Sequence, residues 1–212
     1  MADKYRRLIR QASQTLGLSV SDVQINKWIE YLFLLKKWNN TYNMTSIRAI
    51  DDMLVKHLFD SLAVAPFIVG KNIADVGTGG GLPGVPLAIL MPQKTFTLID
   101  SVGKKIRFLS HVKTTLQLDN IGPLHTRVET FKPEKCFDQI ISRAFSATPK
   151  FYAFCHHLIS DKGTLLAMKG ADMEEEEGLK TLPLKSEVHQ LNVPALTAKR
   201  HVIILHKDST SA

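Results

Sequence analysis

Apolar positions in the first third of the chain recur with helical spacing. Ile25, Trp28, Ile29, Leu32 and Leu35 fall along one helix face, and Ser19, with Asp22 three residues on, is placed to cap its start. A second stripe, Leu54, Leu58, Leu62 and Ala65, predicts a helix over 51–65 that Pro66 ends. After Gly70 the texture changes to short apolar runs separated by helical stretches, the pattern of strands alternating with crossover helices around a parallel sheet. Seven strands are expected, near 72–76, 95–100, 121–125, 139–142, 164–168, 185–191 and 201–206. The connection between the last two is too short for a helical crossover, so they are expected to pair antiparallel. The chain thus divides into a helical region over 1–66, packed on a core, and an α/β domain over 67–212. The ends, 1–14 and 208–212, carry no motif and are expected to be poorly ordered. The acidic run Glu174 to Glu177 reads as a solvated face.

Composition adds bounds. A chain of 212 residues, 44% apolar and 22% charged, can bury one substantial core. Lysine and arginine outnumber acidic residues 27 to 20, a net charge of +7, which suits a polyanion such as RNA as well as it suits ordinary solubility. Cys136 and Cys155 lack metal-ligand spacing, so no metal is expected, and a reducing cytoplasmic setting fits. Charges at Asp3, Lys4, Arg6, Arg7 and Arg10 interrupt any apolar stretch near the N-terminus, and Glu30 and Pro66 break up the two best later candidates for a membrane span; no signal peptide and no membrane partner are expected.

The chemistry-bearing segment runs from Asp75 to Pro86, between the first strand and a helix. Glycines there allow a sharp turn with positive φ and let a ligand approach the backbone. Such a turn is expected to present free N–H groups to an anion or carboxylate. Gly77, Gly79 and Gly81 match a Gly-x-Gly-x-Gly turn of the kind methyltransferases carry, whereas the dinucleotide fingerprint read from Gly77 meets Leu82 at its third glycine. Reading from Gly79 gives Gly79, Gly81 and Gly84, which leaves a nicotinamide-dependent oxidoreductase open. Asp100 closes the second strand, where a carboxylate can accept from both ribose hydroxyls. Val128 and Glu129, just past the third strand, lie where an adenine would meet the sheet edge.

These segments together resemble the 16S ribosomal RNA guanine-N7 methyltransferase family, also called the glucose-inhibited division protein B family. The resemblance spans nearly the whole chain. It rests on Asn43-Met44-Thr45-Ser46-Ile47-Arg48, His57-Leu58-Phe59-Asp60-Ser61-Leu62, the glycine turn with Pro83-Gly84-Val85-Pro86, and Asp100-Ser101 with Lys104-Lys105-Ile106-Arg107-Phe108-Leu109. Ile141-Ser142-Arg143-Ala144 and Met168-Lys169-Gly170 complete it. It implies a class I methyltransferase Rossmann-like fold, a seven-stranded mostly parallel sheet with an antiparallel terminal hairpin. It also implies S-adenosylmethionine as cofactor and a guanine of 16S rRNA, within the small (30S) subunit near the decoding site, as acceptor. Cofactor contacts then fall on Asp75, Gly77, Gly79, Gly81, Leu82, Asp100, Val128, Glu129 and Arg143.

For the acceptor side the candidates are Asn43, Arg48, His57 and Asp60; read without the resemblance, His57 and Asp60 are a helix-surface pair. Lys104, Lys105 and Arg107 place positive charge at a helix start, where the macrodipole gains nothing from it; with Lys169 they are candidates for RNA contact. A solvated face explains any one of the first three equally well. Phe145, Phe151, Tyr152 and Phe154 could stack a base, although aromatics at this density are more often core. Guanine N7 carries a free lone pair, so the lack of an obvious general base suits that acceptor. Two other readings stay open, a methyltransferase acting on another RNA and an RNA-binding module without catalysis. A monomer is expected.

Overall fold

The computed structural model describes residues 2–143, 147–170 and 184–207. The N-terminal region contains helices α1 (Ala2–Thr15) and α2 (Asp22–Tyr42) and a composite third helix. The last consists of α3 (Ile50–Met53), a π-helical stretch over Leu54–Phe59 and α4 (Asp60–Ala63). The α/β part then runs β1 (Asn72–Val76), α5 (Gly84–Leu90), β2 (Thr95–Asp100), α6 (Gly103–Leu116), β3 (Ile121–His125), β4 (Phe137–Arg143) and α7 (Thr148–Cys155). It ends with β5 (Ile159–Lys169), β6 (Ser186–Leu191) and β7 (Arg200–His206).

The seven strands lie in the order β3-β2-β1-β4-β5-β7-β6. The first five pair in parallel; β7 inserts antiparallel between β5 and β6, so the expected terminal hairpin is present. Period-2 alternation sends successive side chains to opposite faces. Ile73, Ile141, Leu166 and Met168 join a core shared with α1, α2, α5 and α6, while Ala74, Ile140, Leu165 and Ala167 join a second core under α7 with Phe151 and Cys155. Phe151 is therefore core, and Phe145 and Glu174 to Glu177 lie outside the described residues.

Two expectations need correction at the N-terminus. Residues 2–15 form a helix because Tyr5, Ile9 and Ala12, spaced i, i+4, i+7, bury one face while the charged residues face outward. The cap of α2 is Ser21, not Ser19. Gln24 at the third helical position donates its N–H to Ser21 Oγ at 3.2 Å, and its side-chain oxygen accepts from Ser21 N–H at 2.9 Å, a reciprocal box that Ser19 cannot make.

The helical region shares the core of the sheet. Trp28 Nε1 donates to Pro86 O at 3.1 Å, Gln24 Nε2 to the carbonyls of Ile89 and Leu90 at 3.0 Å, and Tyr31 Oη to Gly80 O at 2.7 Å. Helix α2 thus satisfies the terminal carbonyls of α5 and braces the glycine turn from behind.

Candidate active site

Two pockets open among the residues that follow the C-terminal ends of the strands, on either side of the point between β1 and β4 where the strand order reverses, the usual ligand position in such sheets. The first, about 220 Å³, is walled by Val76, Gly77, Ile99, Asp100 and Ser101 and by Thr126 to Glu129. It brings together Gly77, Asp100, Val128 and Glu129; Thr126 and Arg127 were not foreseen.

The turn beside it differs from expectation in one respect. Gly77, Gly79 and Gly81 take φ of 67°, 60° and 91°, as only glycine does cheaply. Yet the turn offers few free donors. Gly77 and Thr78 N–H donate to Ile99 O, Gly81 and Leu82 N–H to Thr78 O, Gly79 N–H to Asp100 Oδ2 at 2.9 Å, and Gly84 N–H to Asp75 Oδ2 at 2.8 Å. A pyrophosphate would find these amides taken, so the arrangement does not suit a dinucleotide.

Asp75 and Asp100 divide the work of the two strand ends. Asp75 is fully buried beneath the turn, where Oδ2 accepts from Thr78 Oγ1 at 2.7 Å and from Gly84, and burial raises its carboxyl to about 6. It holds the turn and does not wall the pocket. Gly81 and Leu82 likewise face inward, a Cβ on Gly81 lying 2.5 Å from Val85. Asp100 does line the pocket, with Oδ1 accepting from Val102 N–H at 2.9 Å and Lys105 Nζ 3.6 Å from Oδ2. Lys105 therefore sits over that carboxylate, whereas Lys104 is half-buried and Arg107 exposed on α6, neither of them lining the pocket.

The second pocket, about 410 Å³, is lined by Thr45 to Ile47, Lys56, His57, Asp60, Arg143, Met168 to Gly170, Leu191, Arg200 and His201. The π-helical stretch ends here: by widening the turn it changes the angular relation of His57 to Asp60 from that of an α-helix, and both side chains are buried. Asp60 holds two guanidinium groups. Its Oδ2 accepts from Arg143 Nη1 at 3.2 Å and its Oδ1 from Arg200 Nε at 3.1 Å. The strand-end arginine thus answers the carboxylate of Asp60 and lies in the second pocket rather than the first.

His57 Nδ1 lies between a group that can only donate, Arg143 Nη2 at 3.3 Å, and one that can only accept, Lys56 O at 3.1 Å. On the other side of the ring, Nε2 is hydrogen-bonded to Thr45 Oγ1 at 2.9 Å. Burial, with the Arg143 charge adding to it, lowers the imidazole pKa to about 4, so His57 is neutral at physiological pH. Thr45 is fixed in turn by Asn39, which accepts its N–H at 2.8 Å and donates to Ile47 O at 3.0 Å.

Of the other candidates, Lys169 lines this pocket, whereas Asn43 and Arg48 are exposed and outside the lining. Asn43 is the left-handed C-cap of α2, with Arg48 Nη2 3.5 Å from its Oδ1. Thr45 and Arg200 were missed. Thr45 lay inside a motif already singled out, but Arg200 is brought to the site only by the insertion of β7.

A family model described as rRNA small subunit methyltransferase G matches residues 24–203. The ribosomal RNA small subunit methyltransferase G of Francisella philomiragia is 56% identical over 97% of this chain and 99% of its own, and that of Francisella tularensis subsp. novicida is 56% identical over 94% and 96%. Among solved structures, the Bacillus cereus O-methyltransferase in complex with SAH superposes with a TM-score of 0.61 at 15% identity, covering 98% of this chain and 100% of that one. The M. jannaschii TYW2 in complex with AdoMet gives 0.55 at 18%, covering 70% and 75%. These likenesses establish the class I methyltransferase fold.

Proposed function

The chain belongs to the rRNA small subunit methyltransferase G family, and we propose that it transfers a methyl group from S-adenosylmethionine to N7 of a guanine in the decoding-region loop of 16S rRNA, working in the cytoplasm. The observation that carries this reading is the pair of pockets at one sheet edge, one offering a carboxylate beside a glycine turn whose amides are mostly taken, the other offering two arginines held on one carboxylate.

The first pocket fits S-adenosylmethionine, a nucleoside without phosphates. Asp100 has lone pairs left for ribose hydroxyls after accepting from Gly79 and Val102, while Val128 and Glu129 stand where the adenine would lie. When bound, that cofactor supplies a methyl group made electrophilic by its sulfonium.

The second pocket suits a guanine. Arg143 and Arg200, oriented by Asp60, present N–H groups that can donate to O6, leaving the N7 lone pair free to form the new N–C bond as the C–S bond breaks. Positive charge develops on the purine in this step. Asp60 offsets one of the two guanidinium charges, and a neutral His57 adds none. No proton has to be removed for N7 to attack, so the chain's task is alignment and electrostatic shaping.

The test is incubation with labelled S-adenosylmethionine and either 30S particles or deproteinised 16S RNA from cells lacking the protein. Label is expected in the RNA, with S-adenosylhomocysteine and not NADH raising the melting temperature. Label-free RNA despite cofactor binding would remove 16S rRNA as the acceptor.

A further inference from the structure

The face made by the second half of α2 and by α6 carries features that neither pocket uses. Trp38, half-buried, is the centre of an aromatic cluster: its ring lies 5.2 Å from Tyr42, 5.4 Å from Phe108 and 5.7 Å from His111, centroid to centroid. Phe108 is the buried floor, whereas Tyr42 is 42% exposed and His111 is exposed. Lys104, Arg107 and His111, spaced i, i+3, i+7, form one stripe of α6.

Charge singles this face out. Residues 31–42 of α2 and the whole of α6 contain no acidic residue, and neither Lys104 nor Arg107 is ion-paired among the described residues. Short chain segments tie this face to both pockets. Helix α6 starts three residues after Asp100, and Tyr42 lies three residues before Thr45, a wall of the second pocket.

We propose that Trp38, Tyr42 and His111 form a stacking platform for the single-stranded RNA flanking the target base, with Lys104 and Arg107 holding its phosphates. Exposed rings accept bases of any sequence on their π-faces, and flanking cations follow the backbone, which is how unpaired strands are gripped. A duplex keeps its bases stacked inside and cannot use such rings. The proposal rests on the acceptor being RNA, and it gives the acceptor a grip outside the reaction pocket.

Trp28, the other tryptophan, is fully buried, so stacking reports through Trp38. An unstructured oligoadenylate of about 12 nucleotides is expected to quench the emission, and Trp38→Phe to abolish the quenching. Tyr42→Ala and His111→Ala should each weaken binding about tenfold while leaving S-adenosylhomocysteine affinity unchanged. Lys104→Gln and Arg107→Gln should each flatten the dependence of log affinity on log salt by about 0.7. No quenching, unaltered affinity in the aromatic variants, or equal binding of duplex RNA or of anionic vesicles would overturn the proposal. The readout needs no methyl transfer: quenching without transfer to 16S RNA would sink the proposed reaction and keep the platform, and transfer without quenching would do the reverse.

Discussion

Asp100 serves the site twice, tying Gly79 and Val102 with its own oxygens and offering the remaining lone pairs to a sugar. Asp100→Ala should weaken S-adenosylhomocysteine binding roughly 10- to 100-fold, the loss of one or two charge-assisted hydrogen bonds, while RNA affinity measured by filter binding stays nearly intact. Equal loss of both would mean that the residue supports the fold and not the cofactor. His57 gives a pH signature. Its pKa of about 4 in the folded protein lies below the ordinary 6.5, so between these values the unfolded chain binds more protons. Stability from this residue is whole above pH 6.5 and lost as the pH falls toward 4, on the order of 3 kcal/mol in full. Asp75 runs the other way, since its carboxyl, raised to about 6, costs stability above pH 6 and is relieved as the pH falls. Comparing His57→Gln with the wild type cancels the Asp75 contribution. The melting-temperature gap between them should narrow from pH 7 to pH 5, and a constant gap would show that His57 titrates normally. At this scale the glycine turn and Asp100 were legible because their chemistry is packed into short segments. Arg200 was not, because only a contact over 140 residues joins it to Asp60.

Among the elements, the β1–α5 turn is the most constrained. A Cβ on Gly84 would lie 2.4 Å from Leu98 Cδ2 and 2.7 Å from the buried Asp75 Oδ2, whereas one on Gly80 would meet only Leu35, with Cδ1 at 3.0 Å. Gly84→Ala should therefore cost about 1–3 kcal/mol in chemical denaturation and weaken cofactor binding with it. Gly80→Ala, at a negative φ, should be milder on both counts, and a larger loss for Gly80→Ala would contradict this packing. The α/β alternation was readable from hydrophobic runs alone, and the terminal hairpin from the shortness of its connection. Helix α1 was not, because its charged outer face outweighed three buried positions, Tyr5, Ile9 and Ala12. Nor did any periodicity mark the π-helical stretch that sets His57 against Asp60, since one extra residue per turn hardly alters a short apolar stripe.

For the molecule as a whole, the division at residue 66 is a boundary of texture and not of the core. Tyr5, Ile9, Trp28 and Leu35 share one apolar cluster with Ile73, Phe96 and Leu98 of the sheet. A fragment over 67–212 would expose that face, so it should show no cooperative thermal transition, while the full chain melts as one unit. An independently melting fragment would restore the two-part description. The same continuity explains the placing of function: α2 braces the glycine turn at one end and delivers Thr45 to the second pocket at the other. The central claim is that the two pockets hold the two halves of one methyl transfer to guanine N7. Its most direct test is nucleoside analysis of 16S RNA labelled by the protein and S-adenosylmethionine. The account predicts 7-methylguanosine at a single position; label in any other nucleoside, or spread over many guanines, would contradict it.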